Sequence, residues 1–231
     1  MKQQLKYFFS TIVCSFLTSW LAAQTPENQE LTSWWQFNYD YGKSVALLLN
    51  DNVRQEAGID YTFKKHIVLR FEAGNAKLKP KNAILNGTYQ SKGSYFRIGP
   101  MYKIEPAPSR YLSIGATFGF SFFKDLGQVN ILSEVYPDLN KIIDRSGLSA
   151  RFVELAVSTE GPISKNARGF GRHLYWGATA RIKYLVSETS VNELDIYAIP
   201  GFGTTRKSSS VAASLFIAYH FHEKLFNSKT N

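Results

Sequence analysis

The residue types in this chain most able to hold a metal or move a proton are its four histidines, His66, His173, His220 and His222. A zinc or copper centre needs three or four ligands at fixed geometry. No cysteine and no clear carboxylate ligand accompanies these four, so they are expected as rim histidines at one, periplasmic, end of the fold. Neither a metal nor a cofactor is expected. Nucleophilic catalysis would need a serine, a histidine and a carboxylate brought together. Ser164 stands nine residues before His173, but no motif sets it beside that imidazole, and no catalytic residue is assigned. Gly169-Phe170-Gly171 and Gly201-Phe202-Gly203 lack the third glycine and the following helix of a dinucleotide site, so they are expected as turn glycines. Asn86-Gly87-Thr88 is expected as an Asn-Gly turn. A basic stretch, Lys165, Arg168, Arg172 and His173, has the charge to meet anionic headgroups or a periplasmic partner, although a solvated turn is the default for such a run.

The elements that must position these residues begin after a leader. Lys2 and Lys6 precede an apolar stretch from Tyr7 to Leu21 and the small residues Ala22 and Ala23, which is the build of a cleaved secretory signal peptide, assigned to residues 1–23. The stretch is too short for a membrane helix, which needs about 20 apolar residues. Val13 is bulky where a lipid-acceptor site wants a small residue, so Cys14 is expected to remain part of the signal. It is the chain's one cysteine, so cleavage leaves neither disulfides nor thiolate ligands. Removing Lys2 and Lys6 takes the formal charge from +9 to +7, a balance suited to anionic lipid, lipopolysaccharide or an acidic protein surface. Nucleic acid is not expected as a partner of an exported chain without a binding motif.

Beyond the leader no run approaches 18 apolar residues, so the hydrophobic 44% must be distributed otherwise. It is distributed with period two. Trp35, Phe37, Tyr39 and Tyr41 alternate with Gln36, Asn38 and Asp40, which is a strand with one apolar face. Seven more such runs follow, carrying Ala57 to Phe63, Ile67 to Ala73, Phe96 to Tyr102, Leu112 to Phe120, Val153 to Val157, Leu174 to Tyr184 and Val211 to Phe221. Connections after the second and fourth runs are short and the one after the sixth is intermediate. Those after the third, fifth and seventh are expected to be long. This is the pattern of an all-β, eight-stranded, antiparallel up-and-down transmembrane β-barrel with both termini in the periplasm. A water-soluble barrel would place Lys and Glu on its outer face, yet the minor face of the fifth run is Ser113, Gly115, Thr117 and Gly119. Small uncharged groups suit the cramped interior of eight converging strands. Trp34, Trp35, Tyr41, Tyr102, Tyr184 and Phe221 are expected in the interfacial girdles.

The barrel is assigned to residues 34–221, between an N-terminal periplasmic segment, 24–33, and a C-terminal periplasmic tail, 222–231. Its inner face should carry Asp40, Arg70, Glu72, Arg97, Glu154, Arg181 and Lys183 as a salt-bridged plug, since barrels this narrow are filled by side chains. Outside, residues 124–147 and 187–209 are expected as loops. Leu139, Ile142 and Ile143 would form a helical stripe after Pro137, covered by Ile196, Tyr197, Ile199 and Phe202 or by another protein.

Tyr95-Phe96-Arg97-Ile98-Gly99, Leu112-Ser113-Ile114-Gly115-Ala116-Thr117-Phe118-Gly119 and Ile199-Pro200-Gly201-Phe202-Gly203 resemble a family of small outer-membrane β-barrel proteins of Bacteroidota, largely of unknown function. The likeness runs from about Trp35 to Phe221. Tyr219-His220-Phe221 resembles the aromatic C-terminal signal of outer-membrane proteins, with the departure that His222 to Asn231 follow it. The resemblance implies a fold and a place and brings no active site. The expected role is therefore a non-enzymatic outer-membrane barrel, a structural or accessory subunit of an envelope assembly. It would contact outer-membrane lipids, lipopolysaccharide and another envelope protein through its extracellular loops. A lipid-modifying enzyme (deacylase or acyltransferase) and a small-solute channel are the alternatives.

Overall fold

Side chains on a strand point alternately to its two faces, and a strand with one apolar face must bury one face or the other. In the computed structural model, which describes residues 33–45, 52–63, 66–81, 83–131, 139–164, 169–192, 194–205 and 207–221, the buried face is the polar one. The strands are β1 (Trp34–Asp40), β2 (Val53–Phe63), β3 (Ile67–Leu78), β4 (Gly87–Ala107), β5 (Arg110–Ile131), β6 (Leu139–Pro162), β7 (Leu174–Glu188) and β10 (Ser209–Phe221). Each pairs antiparallel with the next, and β10 pairs with β1 to close the barrel, so Phe37 lies between Ile59 of β2 and Tyr219 of β10. Closure satisfies the backbone groups that an open edge would leave bare. The signal peptide and the tail from His222 lie outside the described residues, as do Lys64-Lys65 and Pro137.

Trp35, Ile114, Leu155 and Trp176 are each more than half exposed on the outer wall, whereas Gln36, Asp60, Thr62 and Arg97 are buried within it. The expected architecture is present, and the soluble alternative would need the reverse. Trp34 corrects one detail: parity with Gln36 turns it inward, where Lys103 Nζ stands 5.8 Å above its ring. Trp35, Tyr102, Tyr184 and Phe221 do face outward.

At the turn end lie Trp34, Phe221 and the connections β2–β3, β4–β5 and β6–β7, the last containing a 3-10 helix, Gly169–His173. The opposite, loop end departs from expectation. Strands β4, β5 and β6 run for 21, 22 and 24 residues, about twice the 9–11 that cross a bilayer. Residues 124–131 and 139–147 are thus strand or its bulge, not loop. Ile142 and Ile143 pair with Gln128 and Gly127, and the helical stripe is absent. Arg145 makes the reason visible: it forks onto Asp125 at 2.9 and 2.6 Å while Tyr89 donates to the same carboxylate at 2.8 Å, which locks β4, β5 and β6 in register above the apolar belt. Among the described residues the long connection at this end is that between β7 and β10. It contains a small hairpin, β8 (Ala198–Ile199) with β9 (Gly203–Thr204), and α1 (Tyr41–Val45) follows β1 at the same end.

Candidate functional site

Inward-facing charges on β2, β3, β4, β6 and β7 meet in one layer because their registers align. Glu72 lies opposite both Gly58 and Arg97, and Glu154 lies opposite Thr117 and Lys183. Arg97 is the hub: Nη1 stands 2.8 Å from Glu56 and 3.1 Å from Glu72, and Nε stands 3.0 Å from Glu154, an ion pair off the line of a hydrogen bond. Arg181 binds Glu72 and lies 3.5 Å from Glu154. Lys183 lies 3.6 Å from Glu154, and Lys43 of α1 bridges Asp40 at 2.9 Å and Glu56 at 2.7 Å. Removing a charge from water costs several kcal/mol unless it is paired and hydrogen-bonded, and here each cation has a carboxylate. All seven predicted inner charges are found inside, and six of them share this layer.

Arg70, the seventh, lies nearer the turn end, clasping Asp60 at 2.7 to 3.2 Å and donating to Ser158 at 2.9 Å. Further down, Lys103 donates to Glu160 at 2.8 Å and to Gln36 at 3.0 Å. Gln36 in turn donates to the second oxygen of Glu160 at 2.8 Å. Sequence reasoning missed Lys103 and Glu160 because it ended the fourth and sixth runs too early, although both follow the parity of Arg97 and Glu154.

On the loop side the charge layer is capped by the chain's own β7–β10 connection. Ile196, Ile199 and Phe202 pack into the barrel mouth against Phe123, Leu148, Ala150 and Phe152. Ala198 packs on Leu78, Tyr89 and Tyr95. The expected covering partner thus exists, but it covers the inner wall of the barrel rather than a helix beside it. Gly201 carries the cap to the charges, its carbonyl accepting from Arg97 and from Lys183. Gly201 has φ +81, and a Cβ there would meet the Tyr95 ring at 2.5 Å, so both conformation and space require glycine. Gly203, with φ +124, is likewise a turn glycine, as expected.

Between the charge layer and Arg70 a void bordered by Asp40, Glu56, Glu72 and Arg181 measures about 20 Å³, and a cavity of about 850 Å³ borders Lys43, Tyr95, Arg97, Lys183 and Gly201. The smaller void is the size of one water.

The histidines separate. His66 sits at the turn end with Nδ1 3.0 Å from Lys103 O, its ring 5.6 Å from Tyr102. His173 lies 5.8 Å from the Tyr219 ring at the same end, and partial burial and the neighbouring Arg172 hold its pKa below the ordinary value. His220 is not at the rim. It is buried inside the barrel, stacked on Tyr175 at 3.9 Å and 3.7 Å from Glu160. The signal was its parity with Ser214, Phe216 and Ala218. His222 lies outside the described residues, among which no three His, Cys, Asp or Glu side chains group as metal ligands. Ser164, Arg172 and His173 border a turn-end cavity of about 1100 Å³ with Arg110, Tyr111 and Glu160. There Glu160 accepts from Lys103 with one oxygen and from Gln36 with the other. Of the basic stretch, Lys165 and Arg168 fall outside the described residues, and Arg172 is exposed.

A family model described as a domain of unknown function, DUF6048, matches residues 4–221. No curated protein matches the sequence. Among solved structures, the chain is similar to the N-terminal β-barrel domain of Pseudomonas aeruginosa OprF, with 8% identity, 84% of this chain and 100% of that chain covered, and a TM-score of 0.37. It is also similar to Acinetobacter baumannii CarO2, with 10% identity, the same coverages and a TM-score of 0.38.

Proposed function

The chain belongs to the DUF6048 family, a domain of unknown function, and from that premise and its inside-out barrel we propose that it is an integral outer-membrane protein acting as a closed structural or accessory element of the envelope. It is exported by its leader, with the turn end in the periplasm and the loop end outside. The observation that carries this is the combination of an apolar outer wall with an ion-paired interior. A wall bearing Trp35, Phe37, Ile114, Leu155 and Trp176 needs an apolar solvent, and a barrel has the closed backbone that such a solvent demands. An interior crossed by the ion pairs around Arg97 and capped by Ile199 and Phe202 favours a barrel that does not conduct solutes.

The protein should therefore fractionate with outer membrane, migrate differently on gels before and after heating, and pass no steady current in planar bilayers. Recovery as a soluble periplasmic protein would overturn the membrane assignment, and stable single-channel currents would restore the channel. An accessory role is favoured by the extension of β4, β5 and β6 beyond the belt. It leaves Ile142 66% and Leu126 41% exposed, apolar surface that another envelope protein would cover.

A further inference from the structure

Lys77, Lys92 and Lys124 stand side by side on the outer wall. Lys77 is the register partner of Lys92 across β3 and β4, and Lys92 is that of Lys124 across β4 and β5. Directly opposed residues on antiparallel strands hold their Cβ atoms roughly 5 Å apart, and like charges at that spacing repel. Among the described residues none of the three has an ion-pair partner. The row borders a groove of about 530 Å³ together with Gln55, Asn75, Ser94 and Phe122. Toward the turn end from the lysines the wall changes character within a few residues. Ser94 donates to Asn75 at 2.6 Å, and beyond that pair the Phe96 ring stacks on Phe120 at 4.7 Å and on Phe122 at 6.3 Å. The lysine groove is thus continuous through Phe122 with an apolar stretch of wall formed by Phe96 and Phe120.

We propose that this groove binds the phosphate-bearing headgroup of an anionic lipid of the outer leaflet, Lys77, Lys92 and Lys124 holding the phosphates while Phe96, Phe120 and Phe122 carry the acyl chains. The proposal rests on the outer-membrane reading above. Charge complementarity selects the occupant: three aligned ammonium groups lack an anion among the described residues, and their position at the edge of an apolar wall is where lipid phosphates lie. Inside the barrel the same strands match Arg70, Arg97 and Lys103 with carboxylates, whereas among the described residues no carboxylate meets the outer row, which leaves it open to an anion from outside.

The test uses the full chain in phosphatidylcholine nanodiscs doped with diphosphoryl lipid A or with its dephosphorylated form, co-retained lipid being counted by native mass spectrometry after detergent release. The parent should retain the phosphorylated lipid and not the dephosphorylated one. K77Q/K92Q/K124Q should weaken retention roughly a hundredfold, since each lysine near a membrane surface is worth about fivefold. K92E, which gives both flanking lysines a partner and so relieves the fold, should also lose the lipid. Equal retention by either variant, or retention that ignores the phosphates, overturns the site. Displacement by millimolar inorganic phosphate would assign it to the free ion and overturn the lipid as occupant. Heat-dependent gel mobility of the same samples reports insertion separately: a parent chain that does not insert sinks the membrane reading and this site with it, whereas an inserted parent without lipid sinks this site alone.

Discussion

Strands β3 and β4 carry basic residues on both faces, and the two faces treat them oppositely. Inward, Arg70 clasps Asp60 and Arg97 gathers Glu56, Glu72 and Glu154. Outward, Lys77 and Lys92 oppose each other with no carboxylate between them. The inner face has lost its water, so an unmatched charge there would cost several kcal/mol, and Arg70 and Arg97 have each acquired a partner. The outer margin of the belt keeps access to water and headgroups, where an unmatched lysine costs little. Face parity, one residue's difference along a strand, decides whether a charge belongs to the fold or is free for something else.

The largest effect that would test this contrast is Arg97→Ala. It leaves Glu56, Glu72 and Glu154 around an unfilled place, and breaking a buried ion network from one side costs about 3–5 kcal/mol. Urea unfolding in detergent, followed by heat-dependent mobility, should show a lower midpoint. Adding Glu154→Gln should recover part of the loss by removing an orphaned charge. An unchanged midpoint for Arg97→Ala would mean the interior is wet enough to behave like the outer wall.

Phe202→Ala comes next, at about 3 kcal/mol, the lower part of the range for truncating a buried phenylalanine, because the barrel mouth can partly collapse around the gap. It sharpens the contrast by separating the two layers that seal the barrel. The cap should loosen, read as faster proteolysis within residues 189–208, while the charge layer beneath stays intact and the protein still passes no current. Conductance in this variant would show that the cap alone closes the lumen.

The strands were legible because one face of each is uniformly apolar, so Phe96, Ile98 and Tyr102 announce a period of two. The same rule placed Arg97, Glu154 and Arg181 inside. It failed where the apolar solvent ends. Above the belt Leu126, Gln128 and Asn130 face outward and Asp125 and Gly127 inward, so neither face is uniform and the strand reads as a loop. Leu139, Ile142 and Ile143 then fit a helix by spacing, and only the pairing with β5 rules it out. The descent of Ile199, Gly201 and Phe202 into the mouth has no periodic signature, since it depends on Phe152 and Tyr95 being there to receive them. His220 was legible from parity and was missed because its place near the chain end argued for a rim.

Arg145→Lys tests an intermediate case. Arg145 is partly exposed, at 16%, and its partner Asp125 is buried, at 1%. Lysine keeps the charge but loses the fork onto Asp125 and the donation to Leu194 O at 2.6 Å that ties the cap to β6. The loss should be roughly 1 kcal/mol, between the inner and outer extremes, with faster amide exchange in residues 189–208 as its second sign. A loss as large as that of Arg97→Ala would place the extension within the sealed interior.

The smallest effect is the one with the opposite sign. Lys92 lies between Lys77 and Lys124 in direct cross-strand register, so Lys92→Gln removes two repulsions and no attraction. In zwitterionic micelles at low salt it should stabilise the barrel by about 0.2–1 kcal/mol, the range of a cross-strand pair. The gain should vanish as salt rises toward 1 M, where the screening length falls to about 3 Å. A membrane rich in phosphorylated lipid should reverse it, because the anion that relieves the row is then present and the variant has lost a ligand for it. Removing a positive charge from β4 therefore destabilises at position 97 and stabilises at position 92. If Lys92→Gln instead lowered stability in zwitterionic micelles at low salt, Lys92 would have to be counted with the matched charges, and the distinction between the two faces would fail at the residue where it is drawn most sharply.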